Sequence, residues 1–351
     1  MSERFINING VKFDCDRRDI WEHESKNEFP EYIQNVLSFC KEWFDERPFV
    51  VVKTSGSTGT PKEIKLPKTW MQISALKSIN AFEIKQKSNL LLSLPVSFIA
   101  GKLMIVRAIV SESNLICVQP EAKPQLPQEE IHFAAFTPMQ VQYLLDHQSD
   151  LYSKIDSVII GGGAISESLW QQISMLTNRS YATYGMTETS THIAYQHISA
   201  TNRRNHFSLI DSSIIINLDE RGCVHFEVPY FDNLKVQTND LALLIDENSF
   251  ELLGRIDRVV NSGGRKIQVE ELEELITSEI QWPFYLCGKP DDLLGEKLVL
   301  MVETGEGIQS NEFFESAFNK LSKLDQPKEI HFRKKFTYTH TGKVIKKYFD
   351  E

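Results

Sequence analysis

The chain has 351 residues, of which 41% are apolar and 25% are charged, a composition that is typical of a globular protein and gives no indication of disorder. Its length favours about two domains. The formal net charge of −10 argues against a general nucleic-acid or anionic-membrane surface, because such surfaces need a basic face.

Five cysteines are scattered along the chain without a CxxC pair, so neither a disulfide framework nor a zinc site is indicated. The start, MSERFINING, lacks the charged and apolar regions of a signal peptide, and no apolar run approaches about 18 residues. We therefore expect a cytoplasmic protein without membrane insertion. Homo-oligomerisation stays open, because the sequence does not distinguish a dimerisation patch from the core.

The first distinctive segment follows a predicted helix (32–44) and a β-branched run that predicts a buried strand ending at residue 53. Residues 54–62 combine glycines, which let a backbone approach a phosphate, with hydroxyl donors and a terminal lysine. We predict a nucleotide-phosphate site formed by Thr54, Ser55, Gly56, Ser57, Thr58, Gly59 and Lys62. A polar turn between a strand and a helix is the simpler alternative. Pro61 stands where a Walker loop needs glycine, so that loop is excluded.

Helix and strand patterns then alternate, which predicts α/β layers around a mostly parallel sheet. A helix is predicted over residues 67–84, and a stripe of apolar side chains is expected to face the core. The stripe consists of Trp70, Ile73, Leu76, Ile79 and Phe82. Strands are predicted at residues 89–95, 114–118, 133–138 and 157–163, with helices from residue 102 and through residue 144.

Two loops at predicted strand ends carry candidate chemistry. In SVIIGGGAIS, a flat ring could lie against the bare backbone of the three glycines Gly161, Gly162 and Gly163, although a simple tight turn explains the glycines equally well. In the stretch 181–190, YATYGMTETS, the candidate groups are the ring of Tyr184, the hydroxyls of Thr187 and Thr189, and the carboxylate of Glu188. These groups suit adenine stacking, a phosphate contact and a Mg²⁺ ligand. The alternative is the capped start of a helix.

From residue 213 the pattern changes to short alternating runs, which favour an antiparallel sheet or a small barrel. Thr238 to Asp240 (TND) would be a turn in isolation, and Arg255 with Asp257 could be a surface ion pair. The helix and strand patterns that follow Gly254 predict a small, mobile α+β domain. We therefore expect a large layered α/β domain over residues 1–256, shortened at its N-terminus, and a small lid domain over residues 257–351.

Several strings, in this order, resemble the signatures of the adenylate-forming enzymes, the superfamily of acyl- and aryl-CoA ligases, adenylation domains and luciferases. They are TSGSTGTPK, SVIIGGGAIS, YGMTET, TND, GRIDR and THTGK. On these strings the chain is identified as a member of that superfamily.

The resemblance implies roles for individual residues. It makes Lys343, Thr187 and Glu188 catalytic, with Glu188 also binding Mg²⁺, and makes Asp257 the hinge. It assigns ATP binding to the predicted phosphate site at residues 54–62 and to the glycine segment, which consists of Gly162, Gly163 and Ala164. It assigns the same role to Tyr184, Gly185, Met186, Asp240 and Arg255. It assigns CoA binding to Ser262, Gly263, Gly264, Arg265 and Lys266, and the acid to Phe98, Gly101, Thr191 and His192. Phe98, in LPVSFIAG, stands where the family commonly has histidine.

The implied activity is an AMP-forming ligation that uses ATP, Mg²⁺ and CoA. The stretch YGMTETSTHIA is most similar to the o-succinylbenzoate-CoA ligases of menaquinone biosynthesis, whose acid carries an aromatic ring, a ketone and a second carboxylate. The alternatives are a CoA ligase for another aryl or fatty acid, an adenylation domain that loads a carrier protein, and a non-catalytic nucleotide-binding sensor.

Overall fold

The computed structural model describes residues 5–14, 29–53, 63–202, 205–262, 265–292, 294–305, 311–338 and 344. The chain divides into two compact units. The first unit comprises residues 1–217, 225–236 and 244–251, and the second comprises residues 218–224, 237–243 and 252–351. The domain boundary at residues 256 and 257 stays a prediction.

The first unit alternates strands and helices, as the sequence predicts. In its described residues the helices are α1 (Glu31–Phe44), α2 (Lys68–Ala81), α3 (Ile99–Val110), α4 (Pro138–Tyr152) and α5 (Glu167–Ser174). Its strands are β1 (Phe5–Ile8), β2 (Val11–Asp14), β3 (Phe49–Lys53), β4 (Glu63–Pro67), β5 (Asn89–Leu92), β6 (Asn114–Cys117), β7 (Phe133–Phe136), β8 (Ser157–Ile160), β9 (Arg179–Met186), β10 (Thr191–His197) and β11 (His206–Leu209).

The main sheet of this unit runs in the order β2-β1-β6-β5-β7-β8-β9-β10-β11. The pairs from β1 through β9 are parallel, whereas β9, β10 and β11 pair antiparallel. Strands β7 and β8 are buried at every position, as expected for parallel strands covered on both faces. The strand order reverses at β5, and ligands of such sheets bind beyond the carboxyl ends at a reversal.

Strands β3 and β4 form a separate antiparallel pair, with Val51 opposite Lys65. The strand β4 was not expected from the sequence, so residues 54–62 connect two strands and not a strand and a helix. Val50 and Val52 are fully buried, which holds one face of this pair in the core.

The predicted apolar stripe on α2 is wrong in part. Leu76 is 48% exposed, whereas Met71, Ala75 and Ser78 are buried. A stripe of period three drifts around a helix that has 3.6 residues per turn, so its members cannot all face one side. Phe82, just beyond the helix, is buried as predicted.

Four strands follow, each hydrogen-bonded to the next in the order of the chain. They are β12 (Ile215–Leu218), β13 (Cys223–Val228), β14 (Leu234–Asp246) and β15 (Ser249–Arg255). Of the two predicted alternatives, these strands form a sheet and not a barrel. Both units include parts of them.

The second unit contains a smaller sheet in the order β17-β16-β19-β18, with β20 also paired to β19. Its elements are β16 (Val259–Ser262), β17 (Arg265–Gln268), β18 (Phe284–Asp291), β19 (Gly295–Glu303), β20 (Glu329–Arg333), α6 (Val269–Ile276) and α7 (Glu315–Asn319). Alternate residues of β18 and β19 pack into two clusters, one containing Leu286 and Leu300 and the other Tyr285 and Met301. This α+β arrangement confirms the predicted fold class.

In the described part of the chain, no helix is both long enough and apolar enough to cross a membrane.

Candidate active site

The glycine segment lies beyond the carboxyl end of β8. The amide of Gly161 donates to the carbonyl of Phe136 at the end of β7, and Thr183 Oγ1 donates to the carbonyl of Ile160 at 3.1 Å. Gly162 has a φ of +78°, a conformation that favours glycine. Gly162, Gly163 and Ala164 are exposed, so their backbone is accessible beside β9.

The motif YGMTETS forms a hairpin and not the start of a helix. Tyr184, Gly185 and Met186 end β9, residues 187–190 turn, and β10 returns antiparallel. Thr189 Oγ1 donates to the carbonyl of Met186 and accepts from its amide, which closes the turn. The alternative of a capped helix is therefore wrong. The hairpin presents Thr187 half-buried and Glu188 exposed at its tip.

The ring of Tyr184 packs at centroid distances of 5.4 to 5.9 Å against the rings of Phe207, Phe226 and Phe250. These contacts fix the ring near the carboxyl end of β9, and Tyr184 stays partly exposed. A rigid, partly exposed aromatic ring is suited to stacking.

Glu188 fits the requirement for Mg²⁺, which usually binds one or two carboxylates together with the phosphates of a substrate. Its carboxylate is exposed on the turn. Among the described residues, no three His, Cys, Asp or Glu side chains are grouped to hold a metal.

The segment predicted to contact the acid enters α3. Phe98 is the residue before the helix and is half-buried. A Cβ at Gly101 would clash with the backbone carbonyl of Pro95, so glycine is required there for close packing of the first turn. Gly101 therefore has a packing role in addition to any contact with the acid.

His192 lies on β10 and is buried, with its Nε2 at 3.2 Å from Ser78 Oγ on α2. Burial, and then the charge of Arg107, hold the pKa of His192 well below its ordinary value of 6.5. The imidazole is therefore neutral at physiological pH and can act as a hydrogen-bonding group.

Arg107 of α3 is a candidate site residue that the sequence analysis missed. Only 1% of its surface is exposed, and its Nε and Nη2 have no hydrogen-bond partner among the described residues. Its guanidinium lies 5.9 Å from the centroid of the Phe133 ring. Burial lowers its pKa to about 9, so it is still charged at neutral pH. A lone arginine in the apolar run KLMIVRAIV was the signal that could have identified it.

A second missed residue is Ser190, at the end of the hairpin turn. Its Oγ is buried without a hydrogen-bond partner in the described ranges, and its φ is +59°. Buried hydroxyls are usually paired, so this one is a candidate for a ligand contact.

Asp240 and Arg255 contact each other in the second unit. Arg255 Nη1 lies 3.2 Å from Asp240 Oδ1, with side chains that are 40% and 16% exposed. Thr238 to Asp240 lie inside β14, so the alternative of a turn is wrong. Thr238 Oγ1 donates to the carbonyl of Val224 at 2.6 Å and accepts from the amide of Asp240, which fixes the backbone of Asp240.

In the segment predicted to bind CoA, Ser262 lies opposite Arg265 in the β16–β17 hairpin. Arg265 Nη2 contacts Asp325 Oδ1 at 2.9 Å. Asp257 lies in a 3₁₀ turn, Ile256–Arg258.

Other predicted site residues lie outside the described residues and stay predictions. They are Thr54, Ser55, Gly56, Ser57, Thr58, Gly59, Lys62, Gly263, Gly264 and Lys343. Of Thr191, Asp257 and Lys266 only the backbone is described.

A family model described as AMP-binding enzyme matches residues 13–212, more than half of the chain. The chain therefore belongs to the AMP-binding enzyme family, which confirms the superfamily identified from its motifs.

The chain is also similar to individual proteins of known sequence or structure. The 2-succinylbenzoate–CoA ligase of Lactococcus lactis subsp. lactis is 24% identical over 340 residues, which cover 89% of this chain and 72% of that protein. The crystal structure of an acyl-CoA synthetase (AMP-forming)/AMP-acid ligase II-like protein from Dyadobacter fermentans is 31% identical, with a TM-score of 0.61 and coverage of 93% and 95% of the two chains. The o-succinylbenzoate coenzyme A synthetase of Bacillus subtilis, in complex with ATP and magnesium ion, has a TM-score of 0.71 over 84% of this chain and 68% of that one. At 18% identity, this last likeness shows the fold alone.

Proposed function

We propose that the protein is an ATP-dependent, AMP-forming ligase that adenylates 2-succinylbenzoate and transfers the acyl group to CoA, a step of menaquinone biosynthesis. The observation that supports the choice of acid is the buried guanidinium of Arg107, whose Nε and Nη2 have no hydrogen-bond partner among the described residues. One carboxylate of 2-succinylbenzoate reacts, and the other remains an anion that can accept charge-assisted hydrogen bonds from Nε and Nη2. The names of the curated relatives support the same acid.

A carboxylate does not react with a thiol, because its charge repels nucleophiles and oxide is a poor leaving group. In the first half-reaction, a carboxylate oxygen attacks the α-phosphate of ATP and pyrophosphate leaves. In the second, the thiol of CoA attacks the acyl carbonyl and AMP leaves. The chain must therefore bring two anions together and offset the charge that develops on the phosphate oxygens.

The hairpin and the glycine segment would hold the nucleotide in this proposal. Tyr184 offers its ring to adenine, Thr187 offers a hydroxyl to a phosphate oxygen, and Asp240 accepts from the ribose hydroxyls. Bound Mg²⁺, with Glu188 as a ligand, would neutralise phosphate charge. The ammonium of Lys343 would offset the charge on the α-phosphate.

The acid would lie against α3 and β10. The rings of His192 and Phe82 lie 5.3 Å apart, the ring of Phe82 stacks on that of Phe133 at 5.9 Å, and the guanidinium of Arg107 lies 5.9 Å from the centroid of Phe133. His192 and Arg107 therefore border the same pair of aromatic rings. For the second half-reaction, the resemblance makes Asp257 the hinge and residues 262–266 the segment that contacts CoA.

A pyrophosphate-release assay across candidate acids, with and without CoA, tests this proposal. We expect CoA-dependent turnover of 2-succinylbenzoate with the highest kcat/KM of the acids compared. A higher kcat/KM for a fatty acid or another aryl acid would favour a different CoA ligase. A requirement for a carrier protein would favour an adenylation domain, and the absence of ATP consumption with every acid would favour a sensor.

Lys343→Ala separates the two half-reactions. We expect it to abolish formation of the adenylate, with a loss of at least about 100-fold, and to leave the conversion of preformed adenylate to the thioester largely intact. Single-turnover measurements with ATP or with the purified adenylate distinguish the two steps. Equal losses in both would contradict the assigned role.

A further inference from the structure

The hydroxyl of Ser190 is enclosed in the protein without a hydrogen-bond partner. The exposed fraction of Ser190 is 0%, and its Oγ contacts no donor or acceptor among the described residues. Its amide donates to the carbonyl of Thr187 at 3.0 Å, so the backbone of the turn is satisfied while the side chain is not. An unpaired buried hydroxyl lowers stability, and a bound ligand with an acceptor atom would remove that cost.

Ser190 lies at the edge of the sheet that carries the candidate site. It directly precedes β10, whose first residue pairs with Met186 at the carboxyl end of β9. Strands β8 and β9 are parallel, so the glycine segment beyond β8 lies at the same edge. Two residues further along is His192, whose ring lies 5.3 Å from that of Phe82. In the chain, Ser190 therefore stands between Glu188, which we assign to Mg²⁺, and His192, which we assign to the acid.

The proposed acid has one polar group that the assignments above leave without a partner. 2-Succinylbenzoate carries two carboxylates and a ketone. In the proposed function, one carboxylate reacts at the α-phosphate and the other contacts Arg107. The ketone oxygen is a neutral acceptor, and its burial without a donor would weaken binding. A neutral hydroxyl matches it both in charge and in hydrogen-bonding role.

His192 cannot be the donor to the ketone, because its proton is already used. Ser78 Oγ donates its only proton to the carbonyl of Ser74 at 2.9 Å. In the 3.2 Å contact between Ser78 Oγ and His192 Nε2, the proton must therefore come from Nε2. A neutral imidazole with its proton on Nε2 presents Nδ1 as an acceptor. Thr189 is excluded in the same way, because its Oγ1 donates to the carbonyl of Met186.

We propose that Ser190 determines specificity for a keto acid, by donating a hydrogen bond from its Oγ to the ketone oxygen. This inference rests on the proposed function, because the ketone belongs to the acid named there. The contact pairs the buried hydroxyl and the buried ketone at once. It therefore favours 2-succinylbenzoate over an acid of the same size in which a methylene group replaces the ketone.

Two acids that differ only in this group provide the test. The comparison acid is 2-(3-carboxypropyl)benzoate, which keeps the ring and both carboxylates but has a methylene group in place of the ketone. We expect the wild type to prefer 2-succinylbenzoate about 10-fold in kcat/KM for pyrophosphate release.

Ser190→Ala should remove this preference. We expect kcat/KM for 2-succinylbenzoate to fall about 10-fold and kcat/KM for the comparison acid to change less than about twofold. A loss of folded protein would lower both values equally. The ratio of the two values therefore distinguishes a contact with the ketone from a structural role.

Ser190→Gly tests whether the backbone conformation contributes to the effect. The φ of Ser190 is +59°, which glycine adopts without strain and alanine does not. We expect the glycine variant to lose the preference for the ketone to the same extent as the alanine variant, because both lack the hydroxyl.

Ser157→Ala is the matched control. Ser157 is 1% exposed, and its Oγ also lacks a partner within the described part of the chain. It is the first residue of β8, at the opposite end of that strand from the glycine segment. This variant removes the same group from an equally buried position, and we expect it to keep the preference of the wild type.

Several outcomes would overturn the inference. Equal kcat/KM values for the two acids in the wild type would show that the ketone is not recognised. A preference that persists in both Ser190 variants, or that is also lost in Ser157→Ala, would show that Ser190 is not the donor. In each of these cases turnover of 2-succinylbenzoate by the wild type leaves the proposed function standing. If the wild type does not turn over 2-succinylbenzoate, both fall.

Discussion

Helix α3 contains two buried basic side chains, Lys102 and Arg107, which differ in their hydrogen-bond partners. Lys102, in its first turn, contacts the carboxylate of Glu42 at 3.3 Å, whereas Nε and Nη2 of Arg107, near its end, have no partner among the described residues. Burial of a charge is costly in both cases, but of these two side chains only Lys102 is paired with a carboxylate in the described part of the chain. The difference separates a charge that serves the fold from one that we assign to a ligand.

The substitution Arg107→Met is expected to have the largest effect, which is a loss of kcat/KM. Methionine fills similar space without charge, so kcat/KM for 2-succinylbenzoate should fall about 100-fold, or about 3 kcal/mol, as for the loss of a buried charge-assisted contact. Steady-state pyrophosphate release measures the change. If kcat/KM falls less than about threefold, Arg107 does not contact the acid.

Lys102→Met should have the second-largest effect, this time on stability. It leaves the partly buried carboxylate of Glu42 without its cation, and we expect the free energy of unfolding to fall by about 2 kcal/mol. Denaturant unfolding followed by circular dichroism measures it. A neutral or stabilising result would mean that Lys102 is not paired in solution.

The same measurement on Arg107→Met should give a smaller change of opposite sign. Arg107 has a buried charge whose Nε and Nη2 lack partners in the described ranges. Its removal is expected to raise the free energy of unfolding of the ligand-free protein by about 1 kcal/mol. Destabilisation comparable to that of Lys102→Met would contradict the comparison, because Arg107 would then have a structural partner.

The smallest effect concerns an exposed network in the second unit. Glu329 accepts hydrogen bonds from Lys289, Lys297 and His331, which hold its pKa at about 2, below the ordinary value of 4.5. A lowered pKa stabilises the fold above about pH 4.5, and this stabilisation is lost as the pH falls towards about 2. Because the side chain is 33% exposed, screening should limit it to less than about 1 kcal/mol.

Glu329→Gln tests this pH dependence. We expect the variant to be slightly less stable than the wild type at about pH 7, and the difference to shrink at about pH 3 and at high salt. A difference that increases on acidification would contradict the assignment of the lowered pKa to Glu329.

Much of the fold follows from local patterns in the sequence. The apolar runs that became β5, β7 and β8 predict the parallel sheet because strands covered on both faces read as continuous hydrophobic segments. The string YGMTET identifies the family, but its local structure was not predictable. Threonine and glutamate after glycine also suit a helix start, and only pairing with β10 fixes the hairpin.

The parts that the sequence did not predict depend on tertiary contacts. Asn239 and Asp240 favour turns by propensity, yet both lie inside β14 because pairing with neighbouring strands outweighs propensity. The apolar run around Arg107 could have indicated that this arginine is buried, but a single sequence does not show which partners a buried arginine has. Burial without a partner becomes visible when α3 is packed in the structure.

The central claim is that Arg107 binds the carboxylate of the acid that does not react. The most direct test compares 2-succinylbenzoate with 3-benzoylpropanoate, which keeps the ring, the ketone and the side-chain carboxylate but lacks the carboxylate on the ring. We predict that the wild type prefers the diacid about 100-fold in kcat/KM and that Arg107→Met has almost no preference. An equal preference in the wild type and the variant would contradict the claim.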